Sequence, residues 1–178
     1  VLITGAGGSI GSSLSSKISS LKPSKLVMVD VSENSIYNLK ASFKITKNKE
    51  NLIFLCSNIR NYAEMQKIFL KHKPDIIFHA GALKHVTICE ENVSEAVRTN
   101  VIATSMLANL AEKHSCKCFV LISTDKAVEP SSVMGYTKKL AELVIKSKDR
   151  LILNGPRYVV VRFGNVLGST GSVVPLFK

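Results

Sequence analysis

A short apolar run, Val1-Leu2-Ile3-Thr4, leads without a break into Gly5-Ala6-Gly7-Gly8-Ser9-Ile10-Gly11, and an amphipathic stretch follows to about residue 21. This order of strand, glycine turn and helix constrains the chain more than any other feature. Gly5 suits a tight turn, Gly8 lets backbone approach a pyrophosphate, and Gly11 allows close packing of helix on strand. Gly7, Ser9 and Ile10 complete the turn. The helix amino terminus then presents free N–H groups and the positive end of its dipole to phosphate oxygens. Asp30 closes the second apolar run, near the roughly 20-residue offset at which an acid bonds ribose hydroxyls. A carboxylate there repels a 2′-phosphate, and no Arg follows in Val31-Ser32-Glu33, so NAD is expected ahead of NADP. The plainer alternative is a glycine-rich turn with no ligand.

The rest of the chain repeats the alternation. Apolar runs at 25–30, 51–56, 75–79, 118–123 and 157–163 alternate with helical patterns at 35–43, 62–72, 93–114 and 133–146; 47–49 reads as loop. Strands alternating with helices predict right-handed crossovers and an α/β, Rossmann-type doubly wound parallel sheet in one domain over 1–178. The 46% hydrophobic content is aliphatic rather than aromatic, as strands buried on both faces require.

Charge and cysteine content exclude little by themselves. The formal net charge is +11, from 24 Lys and Arg against 13 Asp and Glu. Lys17, Lys22, Lys25, Lys40, Lys44, Lys47 and Lys49 are scattered, so we read a solvated surface, with steering of anionic ligands as the alternative and a nucleic-acid groove a minor option. Cys56, Cys89, Cys116 and Cys118 lack metal-ligand spacing and read as buried free thiols of a reducing cytoplasm. No apolar stretch reaches the ~20 residues of a membrane span. A chain opening on Val inside a strand reads as part of a longer protein.

Two further clusters carry chemistry. Thr124, Asp125 and Lys126 stand at the carboxyl end of the fifth strand, the edge at which open α/β sheets bind ligands. A hydroxyl, a carboxylate and an amine in a row can position, protonate and deprotonate a substrate; the alternative is a solvated turn. In Met134-Gly135-Tyr136-Thr137-Lys138, Met134 and Lys138 share a helical face and are expected to look into the cleft, while Tyr136 points elsewhere. Lys138 would bond the nicotinamide ribose. The alternative makes Lys138 a surface residue and Met134 core.

The stretches VLITGAGGSIGS, IIFHAGALKHV, EENVSEAVRTNV, FVLISTDKAVEPSSVMGYTKK and VVVRFGNVLGSTGSVVPLF resemble the extended short-chain dehydrogenase/reductase superfamily. Within it they look like the CapD-like nucleotide-sugar 4,6-dehydratases of polysaccharide biosynthesis. The resemblance implies oxidation of sugar carbon 4 by the cofactor, loss of the carbon 5 proton and the carbon 6 hydroxyl, and hydride return to carbon 6. It implies that Thr124 bonds the carbon 4 oxygen and that Asp125, with a carboxyl raised by partial burial, is acid to the leaving hydroxyl. Lys126 would be the carbon 5 base, its pKa depressed by desolvation and by Lys138. Met134 stands where most superfamily members place the Tyr that acts as base. That leaves Asp125, or a water relay, to deprotonate the carbon 4 hydroxyl.

The resemblance assigns further positions. Asn58, where relatives carry Asp, would accept from the adenine amino group through its carbonyl, with weaker binding, and Ile59 would flank the ring. Ala80, Gly81 and Ala82 would let the cofactor lie close, with His79 a packed core histidine. Asn100 would support the active-site lysine, and Lys84, His85 and Asn165 would face the nucleotide-sugar substrate. Most of the substrate-binding segment is expected to be missing beyond 164–178. The piece alone should therefore bind dinucleotide and turn over little sugar. The parent is expected to be a bacterial enzyme with this domain in the cytoplasm; membrane spans outside this stretch, which many relatives carry, and self-association are both left open. The expected substrate is UDP-N-acetylglucosamine-like. The rivals are an epimerase on the same scaffold and a cofactor-binding sensor without chemistry.

Overall fold

The computed structural model describes residues 1–43, 49–151 and 155–166. The expected loop residues 47 and 48, and the sequence around Gly168 and Val174-Pro175-Leu176, lie outside them. Six strands, β1 (Leu2–Thr4), β2 (Leu26–Asp30), β3 (Leu52–Cys56), β4 (Ile76–His79), β5 (Cys118–Thr124) and β6 (Arg157–Phe163), form one parallel sheet in the order β3-β2-β1-β4-β5-β6. The strand order reverses between β1 and β4, which opens a crevice at their carboxyl ends.

Helices α1 (Ser9–Ser20) and α2 (Glu33–Ser42) cover one face, burying Ile18, Leu39 and Phe43 against Ile3, Leu26 and Met28. On the other face α3 (Tyr62–His72), α6 (Ala103–Lys113) and α7 (Val133–Leu151) bury Met65, Phe69, Leu107 and Ile145 against Leu2, Val27, Ile77 and Phe119. Alternate residues of each strand therefore serve two separate cores, which is why the strands read as continuous apolar runs. Side chains fix the helix starts: Ser32 accepts from Ser35 N–H at α2, and Asn61 from Glu64 N–H at α3. α7 begins where Glu90 Oε1 accepts from Val133 N–H at 2.8 Å.

Three expectations are corrected. The helix expected at 93–114 is α5 (Val93–Val97) and α6 joined through a π turn, Arg98–Ile102, and a short α4 (Val86–Glu91) precedes it unannounced. The π turn inserts a residue and swings Asn100 inward, a change no apolar periodicity signals. The helix expected to end at 146 runs to Leu151. Of the cysteines, Cys89 and Cys116 are buried as expected, but Cys118 is half-buried and Cys56 is exposed at the carboxyl end of β3. Among the described residues, no helix is long and apolar enough to cross a membrane.

Candidate active site and nucleotide cleft

Gly5 has φ +66°, and a Cβ there would stand 2.5 Å from Gly81 N. Gly11 faces a tighter limit, since a Cβ would lie 2.0 Å from Gly5 O. At Gly8 the nearest atom to a Cβ is 3.4 Å away, so this residue leaves its side of the turn open. Gly7 is required for a reason the motif does not state: a Cβ would stand 2.4 Å from Ser35 Cβ, where α2 abuts the turn. Ser9 and Ile10 open α1 beside it.

Gly5 and Gly8 floor a cleft of about 310 Å³ at the sheet's switch point, lined also by Asp30, Ser57, Asn58, Ile59 and the Ala80-Gly81-Ala82 turn. Asp30 accepts from Gly7 N–H (2.9 Å) and Ser32 N–H (3.0 Å), which fixes the carboxylate at the cleft rim and leaves lone pairs for a diol. Asn58 Oδ1 accepts from Arg60 N–H at 2.9 Å, so the carbonyl expected to meet an adenine amine already serves a local turn. Ser57 Oγ is buried without a hydrogen-bond partner and lines the same cleft. An orphaned hydroxyl, an open glycine face and a helix amino terminus together fit an elongated phosphate-containing ligand.

The groups expected to react meet at the carboxyl ends of β5 and β6. Thr124 Oγ1 donates to Asp125 Oδ1 at 2.9 Å, and Lys126 Nζ donates to Asp125 Oδ1 (3.2 Å) and Asn165 Oδ1 (3.0 Å). Asn165 follows β6 and Thr124 ends β5, so adjacent strands bring them together. Gly135 permits this, because a Cβ there would stand 2.7 Å from Lys126 O. A lone glycine opening a helix was the signal available for it.

The ionisation states differ from expectation. Asp125 is exposed, and the Thr124 hydroxyl and then the Lys126 amine hold its carboxyl below the usual range, so it is an anion and not a raised acid. The desolvation expected at Lys126 is found at Lys138. That amine is buried, donates to Ile122 O at 2.7 Å, and is brought down to about 8 by loss of water, against the raising effect of Glu142. Lys138 is therefore no surface residue. Lys126 turns instead toward Asp125 and Asn165.

Met134 does not look into the cleft; it packs with Cys89 and Ala96. Tyr136 is exposed. Asn100 reaches the lysine helix indirectly. Its amide donates to Thr137 Oγ1 and Leu83 O, and its Oδ1 accepts from Leu83 N–H, which ties the cleft wall to α7. Lys84 and His85 are exposed in the turn before α4, outside the cleft lining. His79 is a packed core histidine, bonded to Thr4 and Thr104.

The fold and cleft define a Rossmann-type domain of the extended short-chain dehydrogenase/reductase kind. The family description "Polysaccharide biosynthesis protein" matches residues 1–178, and the chain belongs to that family. It is 42% identical over its whole length to the capsular polysaccharide biosynthesis protein CapD of Staphylococcus aureus, of which it spans 30%. It is 35% identical to the UDP-glucose 4-epimerase of Rickettsia prowazekii, with 99% of this chain matching 52% of that one. Among solved structures, Pen from Bacillus thuringiensis superposes with a TM-score of 0.92 at 36% identity, covering 99% of this chain and 53% of Pen.

Proposed function

We propose that this chain is the NAD-binding part of a nucleotide-sugar 4,6-dehydratase acting on a UDP-N-acetylglucosamine-like substrate. The observation that carries the reading is the hydrogen-bonded cluster Thr124–Asp125–Lys126–Asn165, with Met134 packed away from the site. NAD, when bound, supplies hydride acceptance at carbon 4 and hydride return at carbon 6. Gly5, Gly8 and the α1 amino terminus would hold its pyrophosphate, Asp30 the adenosine ribose, Ser57 and Asn58 the adenine edge, and Lys138 the nicotinamide ribose.

Thr124 meets the carbon 4 oxygen. Because its hydroxyl already donates to an ionised Asp125, the carbon 4 proton has a path through Thr124 to that carboxylate. Asp125, protonated in this way, becomes the acid for the leaving carbon 6 hydroxyl, so no raised resting pKa is needed. Lys126 takes the carbon 5 proton once the sugar excludes water from its amine. The share of each relative that the chain spans supports a parent protein whose further residues grip the sugar.

The test incubates the longer protein with UDP-N-acetylglucosamine in light and heavy water and follows the nucleotide-sugar by mass. A product lighter by one water that carries solvent deuterium supports dehydration. Unchanged mass with inversion at carbon 4 would sink it in favour of the epimerase. Lys126→Ala should lower dehydration by about 10²-fold or more while NAD affinity stays within roughly threefold; a sensor would keep its function. Asn58→Asp should tighten NAD binding by about tenfold, read by calorimetry on this chain, because a charged acceptor serves both the Arg60 amide and the adenine amine.

A further inference from the structure

Lys138, Glu142 and Lys146 follow one another at single-turn spacing on α7. The Glu142 side chain is 1% exposed, although a carboxylate in an apolar setting is costly to bury. Its oxygens are fully engaged. Oε1 accepts from Ser123 Oγ at 2.6 Å and from Arg162 Nε at 2.8 Å, and Oε2 accepts from Arg162 Nη2 at 2.5 Å. Lys146 Nζ stands 3.9 Å from Oε2. Ser123 and Arg162 are register partners, and each is the last residue but one of its strand. Immediately beyond them the chain delivers Thr124, Asp125 and Lys126 from β5 and Asn165 from β6. Lys138 donates to Ile122 O, the residue before Ser123. One carboxylate thus joins the helix carrying Lys138 to both strands that present the other reacting groups.

We propose that Glu142 is a positioning residue, clamping α7 to the carboxyl ends of β5 and β6 and serving as counter-ion to the buried Lys138 amine. Its bearing on chemistry rests on the function proposed above. A well-packed apolar residue would secure the helix equally well, so the fold alone does not call for a buried ion cluster here. Two opposed influences act on Lys138: loss of water disfavours the ammonium, and the Glu142 charge favours it. The other ionisable groups nearby are Arg162 on β6 and Lys146 on α7, which offset the Glu142 charge, and His79 on β4, which is neutral.

The test follows the Lys138 Nζ resonance by nitrogen-15 NMR as a function of pH, on this chain without nucleotide or sugar. Glu142→Gln keeps the shape and removes the charge, and the titration midpoint should fall by about one pH unit. Arg162→Gln unmasks the Glu142 charge, and the midpoint should rise. A merely structural role would loosen α7 in both variants, admit water to the amine and raise the midpoint in both. A midpoint that rises or stays put in a folded Glu142→Gln protein overturns the proposal. Should that variant not fold, Arg162→Lys replaces it. That substitution keeps the charge without the two-pronged grip, so the midpoint should stay near wild type, and a rise equal to that of Arg162→Gln overturns the proposal. No sugar is turned over in this experiment, so it and the dehydration assay can fail separately.

Discussion

Replacing Gly11 with Ala should lower the melting temperature by roughly 10 °C and abolish dinucleotide binding, whereas Gly8→Ala should leave melting within about 2 °C and weaken binding alone. The two glycines stand three residues apart in one motif, yet their surroundings differ. A Cβ at Gly11 would meet Gly5 O at 2.0 Å, Ala6 Cα at 2.7 Å and Gly5 C at 2.8 Å, all backbone atoms. None can rotate aside, so α1 must withdraw from β1, at a cost of about 3 kcal/mol. The displaced helix also carries away the N–H groups expected to face the phosphates. At Gly8 the only near atom is Gly5 O at 3.4 Å, ordinary contact for a methyl group that would project toward the ligand. Thermal melts with NAD titrations of both variants separate the two roles. Equal melting losses would overturn the assignment.

Stability should fall by about 2 kcal/mol between pH 7 and pH 5 on account of His79 alone. The histidine lies between Thr4 Oγ1 at Nδ1 (2.7 Å) and Thr104 Oγ1 at Nε2 (2.9 Å). Thr104 donates its own proton to Asn100 O at 2.7 Å, so it accepts from His79 Nε2–H, and Nδ1 accepts from Thr4. Neither ring nitrogen is left to hold an extra proton with an acceptor opposite. Burial, and to a lesser degree the Lys138 charge, pulls its pKa down to about 3 from the ordinary 6.5. In the unfolded chain the ring protonates as pH drops through 6.5, while in the folded chain it stays neutral. The unfolded state therefore binds more protons, and stability is lost progressively as pH falls from 6.5 toward 3.

Urea denaturation at pH 7, 6 and 5 for wild type and His79→Gln isolates this contribution, because the variant keeps the other titrating groups. His72, also lowered by burial, contributes equally to both proteins. The lowered carboxyls of Asp75, Glu95, Asp125 and Glu142 lose their contributions below their unfolded values, under pH 5. The variant should be less stable at pH 7 and markedly flatter toward pH 5. An identical slope in both proteins would show that the ring ionises freely in the fold.

Both expectations lie on the same structural line, from the glycine turn through the β1–β4 crevice to α6. Thr4 and His79, which the bridge joins, stand one and two residues before the closely apposed Gly5 and Gly81, so acid damage and nucleotide binding should be coupled. The Asn100 side chain extends the same line to Leu83 and Thr137, and so to the helix that carries Lys138.

Much of this was legible in the sequence because it depends on local order. A glycine run between a strand and a helix, an acid at the end of the next strand and apolar runs alternating with helical ones are properties of neighbouring residues. They determined the sheet, the cleft and its lining by Gly5, Gly8 and Asp30, while Ile59 and Gly81 were assigned to the cleft by the family resemblance. The meeting of Thr124, Asp125 and Lys126 needed no folding at all. What only the tertiary structure decided are quantities set by distant residues and by water. Asp125 is an anion because its hydroxyl and amine partners stand in an exposed turn, and no spacing reports exposure. Lys138, not Lys126, is the desolvated amine because α7 lays it against Ile122. Gly7 is fixed by Ser35 on another helix, and the buried charge of Glu142 is balanced by Arg162, twenty residues on and across a strand. Local pattern selects which elements form; dielectric and long-range contact select the protonation state and partner of each side chain.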